Sequence, residues 1–262
     1  MKIIFFGNTK YSNIGLKIVQ SSYPISFVVT IPNSPVKFAA EELGIKVIET
    51  EQLDESKLLQ ISSLKPDFLI VEDYGLILPK SLLNTPKIAP LNIHHSLLPK
   101  YRGPSPAPTA ILNGDKISGV TIIRISEKVD AGEILAQLEY ELKLGENTDT
   151  LLTKLNELGG TLIVKVIKQY LEGSATPKPQ NHSKATYTKH FVKRDGYFDI
   201  YKPPSSEVLD RMIRAYHPWP GVWTRWNNKI VKFLPGGLLQ MEGKKPISFK
   251  DFLNGYSDFP LK

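Results

Sequence analysis

Residues 2–31 read KIIFFGNTKYSNIGLKIVQSSYPISFVVTI. Two short runs inside it, Lys2–Phe6 and Ile25–Ile31, are apolar at consecutive positions rather than at alternate ones. A strand of that kind buries both faces, as a central strand of a parallel sheet does. Between the runs, Gly7 opens a turn and Ser12–Gln20 carries helical spacing. The unit is β-α-β, and the pattern repeats. Lys37–Leu43 reads as a helix closed by Gly44, Lys46–Ile48 as a third run, Asp54–Leu64 as a helix ended by the Pro66 turn, and Phe68–Val71 as a fourth run. This alternation predicts an α/β domain with a doubly wound, mostly parallel sheet.

Further along, Leu91–His94 reads as a strand, followed by a proline-rich loop over Leu98–Pro108 and a helix near Thr109–Asn113. Gly119–Ser126 and Ile134–Leu142 read as strands joined by the turn Glu127–Glu133. Asn147–Tyr170 is a helix with its apolar stripe on Leu151, Leu155, Leu158, Leu162 and Val166, weakened locally by Gly159-Gly160. Residues 174–190, rich in Lys, Pro, Ser, Thr and Asn, have a linker's composition. A helix over Ser206–Tyr216 follows. Val222–Trp226 and Lys229–Phe233 then flank Asn227-Asn228, a two-residue hairpin turn. The expected organisation is a larger α/β domain over 1–173, a linker over 174–205, and a small, β-rich, basic C-terminal domain over 206–262.

The net charge of +7 is unevenly spread. Residues 1–173 carry 18 Lys/Arg against 19 Asp/Glu, and residues 174–262 carry 15 against 7. The positive excess of the last third points to a polyanionic partner, with nucleic acid the leading candidate. The chain has no cysteine, which excludes disulfides and thiolate chemistry. No apolar run approaches the roughly 20 residues of a membrane span, so a soluble, cytoplasmic chain without a membrane partner is expected.

The densest polar cluster is NIHHSLLPKYRG, residues 92–103. It begins where a strand ends, the place at which open α/β sheets put their ligands. Strand alternation sets Asn92 and His94 on one face. An amide can steady a developing oxyanion, and an imidazole can move protons near neutral pH. A third group is needed to orient the imidazole, and Asp130, in VDAGEI, is the best candidate. His95 is expected to point to the opposite face, packed or solvated rather than catalytic. Glu72 reads as a wet strand terminus, and the role of Asp73 stays open. Arg102 is read either as a ligand for an anionic substrate or as a structural salt bridge. Trp219, Trp223 and Trp226 read as core of the small domain. No metal site is expected, because the histidines stand apart from carboxylate pairs with ligand spacing.

The chain resembles the folate-dependent formyltransferases. The matching pieces are NIHHSLLPKYRG and GVTIIRISEKVDAGEILAQ, with Asp130 36 positions beyond His94. The resemblance implies catalytic roles for Asn92, His94 and Asp130. It also implies a folate site lined by Ser96, Leu97, Leu98 and Pro99, with Leu76 and Leu78 as apolar wall, and 10-formyltetrahydrofolate as donor. YGLILP at 74–79, SPVK at 34–37, ATYTK at 185–189, RAYHPWPGVWT at 214–224 and LLQMEGKKPISFKDFLNG at 238–255 resemble the branch whose acceptor is initiator methionyl-tRNA. That branch usually carries a longer basic loop before SPVK, whereas here Thr30–Asn33 leads directly into Ser34. The implied function is formyl transfer to the α-amine of initiator methionyl-tRNA in translation initiation, by a monomer. The alternatives are a formyltransferase acting on a sugar nucleotide or other small amine, and a silent folate- or tRNA-binding protein.

Overall fold

The computed structural model describes residues 1–261. In chain order the elements are β1 (Ile3–Phe6), α1 (Ser12–Ser22), β2 (Ile25–Thr30), α2 (Pro35–Glu42), β3 (Lys46–Glu49), α3 (Glu55–Ser63), β4 (Phe68–Val71), α4 (Lys80–Leu83), β5 (Ala89–His94), α5 (Pro106–Asn113), β6 (Ile117–Arg124), β7 (Ile134–Glu141), α6 (Thr148–Leu171), α7 (Ser206–Ala215), β8 (Val222–Trp226), β9 (Lys229–Leu234), β10 (Leu238–Met241), β11 (Ile247–Ser248) and α8 (Phe249–Gly255). Local chemistry explains several starts. Ser34 caps α2 by accepting the Lys37 N–H, Asp54 caps α3 through the Lys57 N–H, and Ser205 caps α7 through the Val208 N–H.

The chain divides into two compact units. The first comprises residues 1–104, 117–141 and 152–187, and the second 105–116, 142–151 and Thr188 onward. In the first unit, seven strands run in the order β3-β2-β1-β4-β5-β6-β7. β1 to β5 are parallel, and β6 and β7 join antiparallel. The expected mostly parallel, doubly wound sheet is present. All four residues of β1 are fully buried. Ile3 and Phe5 face one apolar layer with Leu16, Ile93 and Ile163, while Ile4 and Phe6 face the other with Leu69 and Leu82. The order reverses between β1 and β4, and crevices at such reversals bind ligands.

Gly159 and Gly160, a weakness by helix propensity, have a packing reason. A Cβ on Gly159 would stand 2.5 Å from Ile93 Cγ2, and one on Gly160 2.9 Å from Ile18 Cδ1. The absent side chains let α6 lie close to its neighbours. Residues 174–187, read as linker by composition, make ordered main-chain bonds within the first unit. Lys178 and Ile134 exchange two bonds of 2.8 Å, and the Arg102 N–H donates to the Thr186 carbonyl at 2.8 Å.

In the second unit, β8 to β11 form an antiparallel sheet in the order β11-β10-β9-β8. Asn227 and Asn228 both have positive φ, 48° and 60°, as a two-residue type I′ hairpin turn requires. The strands alternate. Val222, Thr224 and Trp226 are buried, and so are Val231 and Phe233, against Phe198, Leu209 and Phe252. Trp226 is core as expected, but Trp219 is 60% exposed. It sits in a turn between two prolines rather than on an inward strand position. Among the described residues, no helix is long and apolar enough to cross a membrane.

Candidate active site

β5 pairs with β4 through Val71↔Asn92 and with β6 through Asn92↔Ile123. That register sets Asn92 and His94 on one face at the strand's C-terminal end. Asp130 arrives from the loop after β6, in a left-handed backbone conformation (φ 49°). The loop is held from behind. The Gly103 N–H donates to Asp130 Oδ2 at 2.7 Å. Gln180 Nε2 donates to the carbonyls of Asp130 and Gly132 at 2.8 and 2.7 Å. Arg102 Nη2 in turn donates to Gln180 Oε1 at 2.6 Å. Arg102, expected as an anion ligand or a salt bridge, is instead buried with its guanidinium on Gln180 and 2.9 Å from His182 Nδ1. Sequence reasoning missed Gln180 because its neighbours have a linker's composition.

The three expected residues converge. Asn92 Nδ2 lies 3.5 Å from Asp130 Oδ1, and His94 Nδ1 lies 3.6 Å from Asp130 Oδ2. On its other side, His94 Nε2 stands 3.0 Å from the Tyr101 carbonyl. A carbonyl only accepts, so Nε2 carries the hydrogen and Nδ1 is the basic nitrogen of neutral His94. Burial lowers the pKa of His94. Asp130 and the Tyr101 carbonyl oppose that, and the positive neighbour His95 reinforces it. A proton taken at Nδ1 would meet the Asp130 carboxylate.

His95 is packed rather than solvated, and in polar company. Its Nδ1 is 3.4 Å from Asp73 Oδ1 and its Nε2 3.9 Å from Glu72 Oε1. Glu72 is not a wet terminus. It is fully buried, and neither carboxylate oxygen accepts a hydrogen bond. Gly15 makes room for it, since a Cβ there would overlap Glu72 Oε2.

Of the expected folate residues, Ser96, Leu97, Leu98 and Pro99 follow His94 in the chain, while Leu76 and Leu78 pack with the apolar layer of Ile4 and Phe6. Leu98 and Leu78 are buried, and Leu97, Pro99 and Leu76 half-buried. The loop is pinned through Thr121 Oγ1, which accepts the Leu98 N–H at 3.2 Å and donates to the Ser96 carbonyl at 2.6 Å. Gln137 Nε2 donates to the Leu98 carbonyl at 2.9 Å. The Ser96 hydroxyl donates to the Lys100 carbonyl at 2.6 Å, so Ser96 shapes the loop. Such a rigid apolar wall suits a flat heterocycle. A separate cavity of about 340 Å³, lined by Arg124, Ser126, Gly132, Gln180 and His182, includes none of these residues. Among the described residues, no group of three or more His, Asp or Glu side chains could hold a metal ion.

An amide donor, a neutral imidazole and a carboxylate at the strand ends of a doubly wound sheet are groups able to serve acyl transfer to a nucleophile. The Formyl transferase family matches residues 1–167, and the Formyl transferase C-terminal domain matches 195–236. The chain belongs to the formyltransferase family and is an enzyme that transfers formyl groups. It is similar to the methionyl-tRNA formyltransferase of Chloroflexus aggregans, at 39% identity over 247 residues covering 89% of this chain and 79% of that one. Its fold is like that of a 4-N formyltransferase from Francisella tularensis, with TM-score 0.73, 23% identity, and 89% and 96% of the two chains covered. It is also like that of the N-formyltransferase from Helicobacter canadensis in complex with folinic acid and dTDP-3-aminofucose, with TM-score 0.67, 20% identity, and 92% and 95% covered.

Proposed function

We propose that the protein transfers the formyl group of 10-formyltetrahydrofolate to the α-amine of initiator methionyl-tRNA, in the cytoplasm and as a monomer. The observation that carries the chemistry is the convergence of Asn92 and His94 on Asp130. The acceptor amine attacks the formyl carbon, and the carbonyl π pair moves to oxygen. Asn92 Nδ2 donates to that oxyanion. His94 Nδ1 takes the proton that the attacking nitrogen must lose, and Asp130 stabilises the imidazolium. On collapse the bond to N10 of the folate breaks, N10 recovers the proton from His94, and formyl-methionyl-tRNA and tetrahydrofolate leave. Leu76, Leu78 and Leu97–Pro99 hold the folate ring system. The folinic acid complex of the Helicobacter canadensis relative supports a reduced folate as donor.

The acceptor reading rests on the identity with methionyl-tRNA formyltransferases over most of the chain, since the likeness to sugar-acting enzymes is one of fold. The basic balance after residue 173 supports a phosphate-rich acceptor. The test is a choice of acceptors: initiator methionyl-tRNA against a dTDP-amino sugar, each with 10-formyltetrahydrofolate. Turnover on the tRNA and none on the sugar supports the reading, and the reverse overturns it.

A further inference from the structure

The proposed reaction does not use one group of neighbouring ionisable side chains: the buried Glu72 and His95 and the half-buried Asp73. They stand where the sheet order reverses, directly behind the reacting groups. Phe6 pairs with Val71, and Val71 with Asn92, so continuing the register puts Asp73 level with His94. Asp73 is fixed by three constraints. Its backbone is left-handed at φ 50°, Thr9 Oγ1 donates to its Oδ2 at 3.2 Å, and His95 Nδ1 faces its Oδ1 at 3.4 Å. Next to it, the Asn8 side chain donates to the Tyr74 carbonyl. His95 is therefore a tie between the end of β4 and the end of β5.

A fully buried carboxyl group without a hydrogen bond is expensive, and each such group in a folded protein calls for an explanation. An apolar pair at Glu72 and His95 would fill the same space without that cost. What the polar pair supplies, and an apolar pair cannot, is a charge immediately beside His94.

We propose that His95, clamped between Glu72 and Asp73, is a positioning residue for formyl transfer that holds the His94 turn and sets the protonation of His94. This rests on the proton-moving role of His94 given above. The groups facing His95 are Glu72 and Asp73 from the end of β4 and His94 on its own strand, while Asp130 faces His94 from the far side. The charges around His94 pull both ways: His95 lowers its pKa, while Asp130 and Asp73 raise it. Burial alone would strip His95 of its proton, but Asp73 and Glu72 hold its pKa up to about 10. His95 is then cationic at neutral pH and disfavours a second cation on His94. His94 stays neutral at Nδ1, ready to take the amine proton.

The test is a pair of measurements on the full chain. Imidazole NMR titration of the wild type is expected to show His95 protonated throughout pH 6–8, with His94 titrating on the acid side of its ordinary value. In His95→Gln the cation is gone and the Asp73 carboxylate remains. Both changes favour protonation of His94, so its titration and the acid limb of kcat/KM should move up together by at least about half a pH unit. A uniform loss of rate with an unmoved limb and an unmoved His94 titration would mean a merely structural His95 and overturn the proposal. A wild-type His95 that is neutral at pH 7 would overturn it without any variant. Failure of the formyl-transfer reading is told apart from both, because the NMR titration needs no turnover.

Discussion

His94 Nδ1 faces Asp130 Oδ2 at 3.6 Å, while its Nε2 is held by the Tyr101 carbonyl at 3.0 Å. The ring has one committed nitrogen and one working nitrogen, and Asp130 sits beside the working one. Asp130→Asn keeps an oxygen for the Gly103 N–H and so keeps the loop. It removes the charge that meets the imidazolium. We expect kcat to fall roughly 100- to 10,000-fold with an unchanged circular dichroism spectrum. Steady-state rates at saturating donor measure it.

The acid limb of activity follows from His94. Its pKa is lowered from 6.5, first by burial, and on the proposed mechanism the neutral form is the active one. Activity should therefore persist below pH 6.5 and fall only as pH drops through the depressed value. A kcat/KM profile whose half-point lies above 6.5 would disagree.

Glu72 and His95 make a stability prediction of definite sign. Burial pushes the Glu72 carboxyl from 4.5 up to about 8. A group whose folded pKa is raised contributes stability that is complete below its unfolded pKa and is lost as pH rises through the folded one. For Glu72 that loss runs from 4.5 to about 8. For His95 it runs from 6.5 to about 10. The melting temperature should fall across pH 6–9. Glu72→Gln, neutral at every pH, should flatten that fall and be at least as stable as the wild type at pH 9.

Gln180 carries both the Asp130 and the Gly132 carbonyl and is itself held by Arg102. Gln180→Ala removes the donor to those two carbonyls and one acceptor of a buried guanidinium. A loss of about 1–3 kcal/mol in urea unfolding is expected, together with a larger fall in kcat than rise in KM, because the Asp130 loop loosens.

Gly159→Ala separates two opposing effects. Helix propensity alone would favour alanine by about 1 kcal/mol. The new Cβ, however, stands 2.5 Å from Ile93 Cγ2 in the strand that carries Asn92 and His94, and overpacking costs about 1–3 kcal/mol. Net destabilisation is expected, read as a lower urea midpoint.

Much of this was legible in the sequence where one physical signal dominates. The doubly apolar runs of β1, β2 and β4 announce central strands, and Asn227-Asn228 announces its hairpin. The spacing of Asn92 and His94 puts both on one face of β5. What composition hid was of another kind. Gln180 and Thr186 lie in a Pro- and Lys-rich stretch that mimics a linker, and only their bonds to Asp130 and Arg102 reveal their place. Glu72 looked solvated because a charged residue after a strand usually is. The space made by Gly15, and the histidine that faces Glu72, are twenty-three or more residues away along the chain and belong to the fold rather than to any local pattern.

The most direct measurement of the central claim is the yield of formyl-methionine from 10-formyltetrahydrofolate and charged initiator tRNA, for the wild type and for Asn92→Ala. Product is expected with the wild type, and a rate lower by about 100- to 1000-fold with Asn92→Ala, at unchanged fold. No product from the wild type, or a near-normal rate without the Asn92 amide, would contradict it.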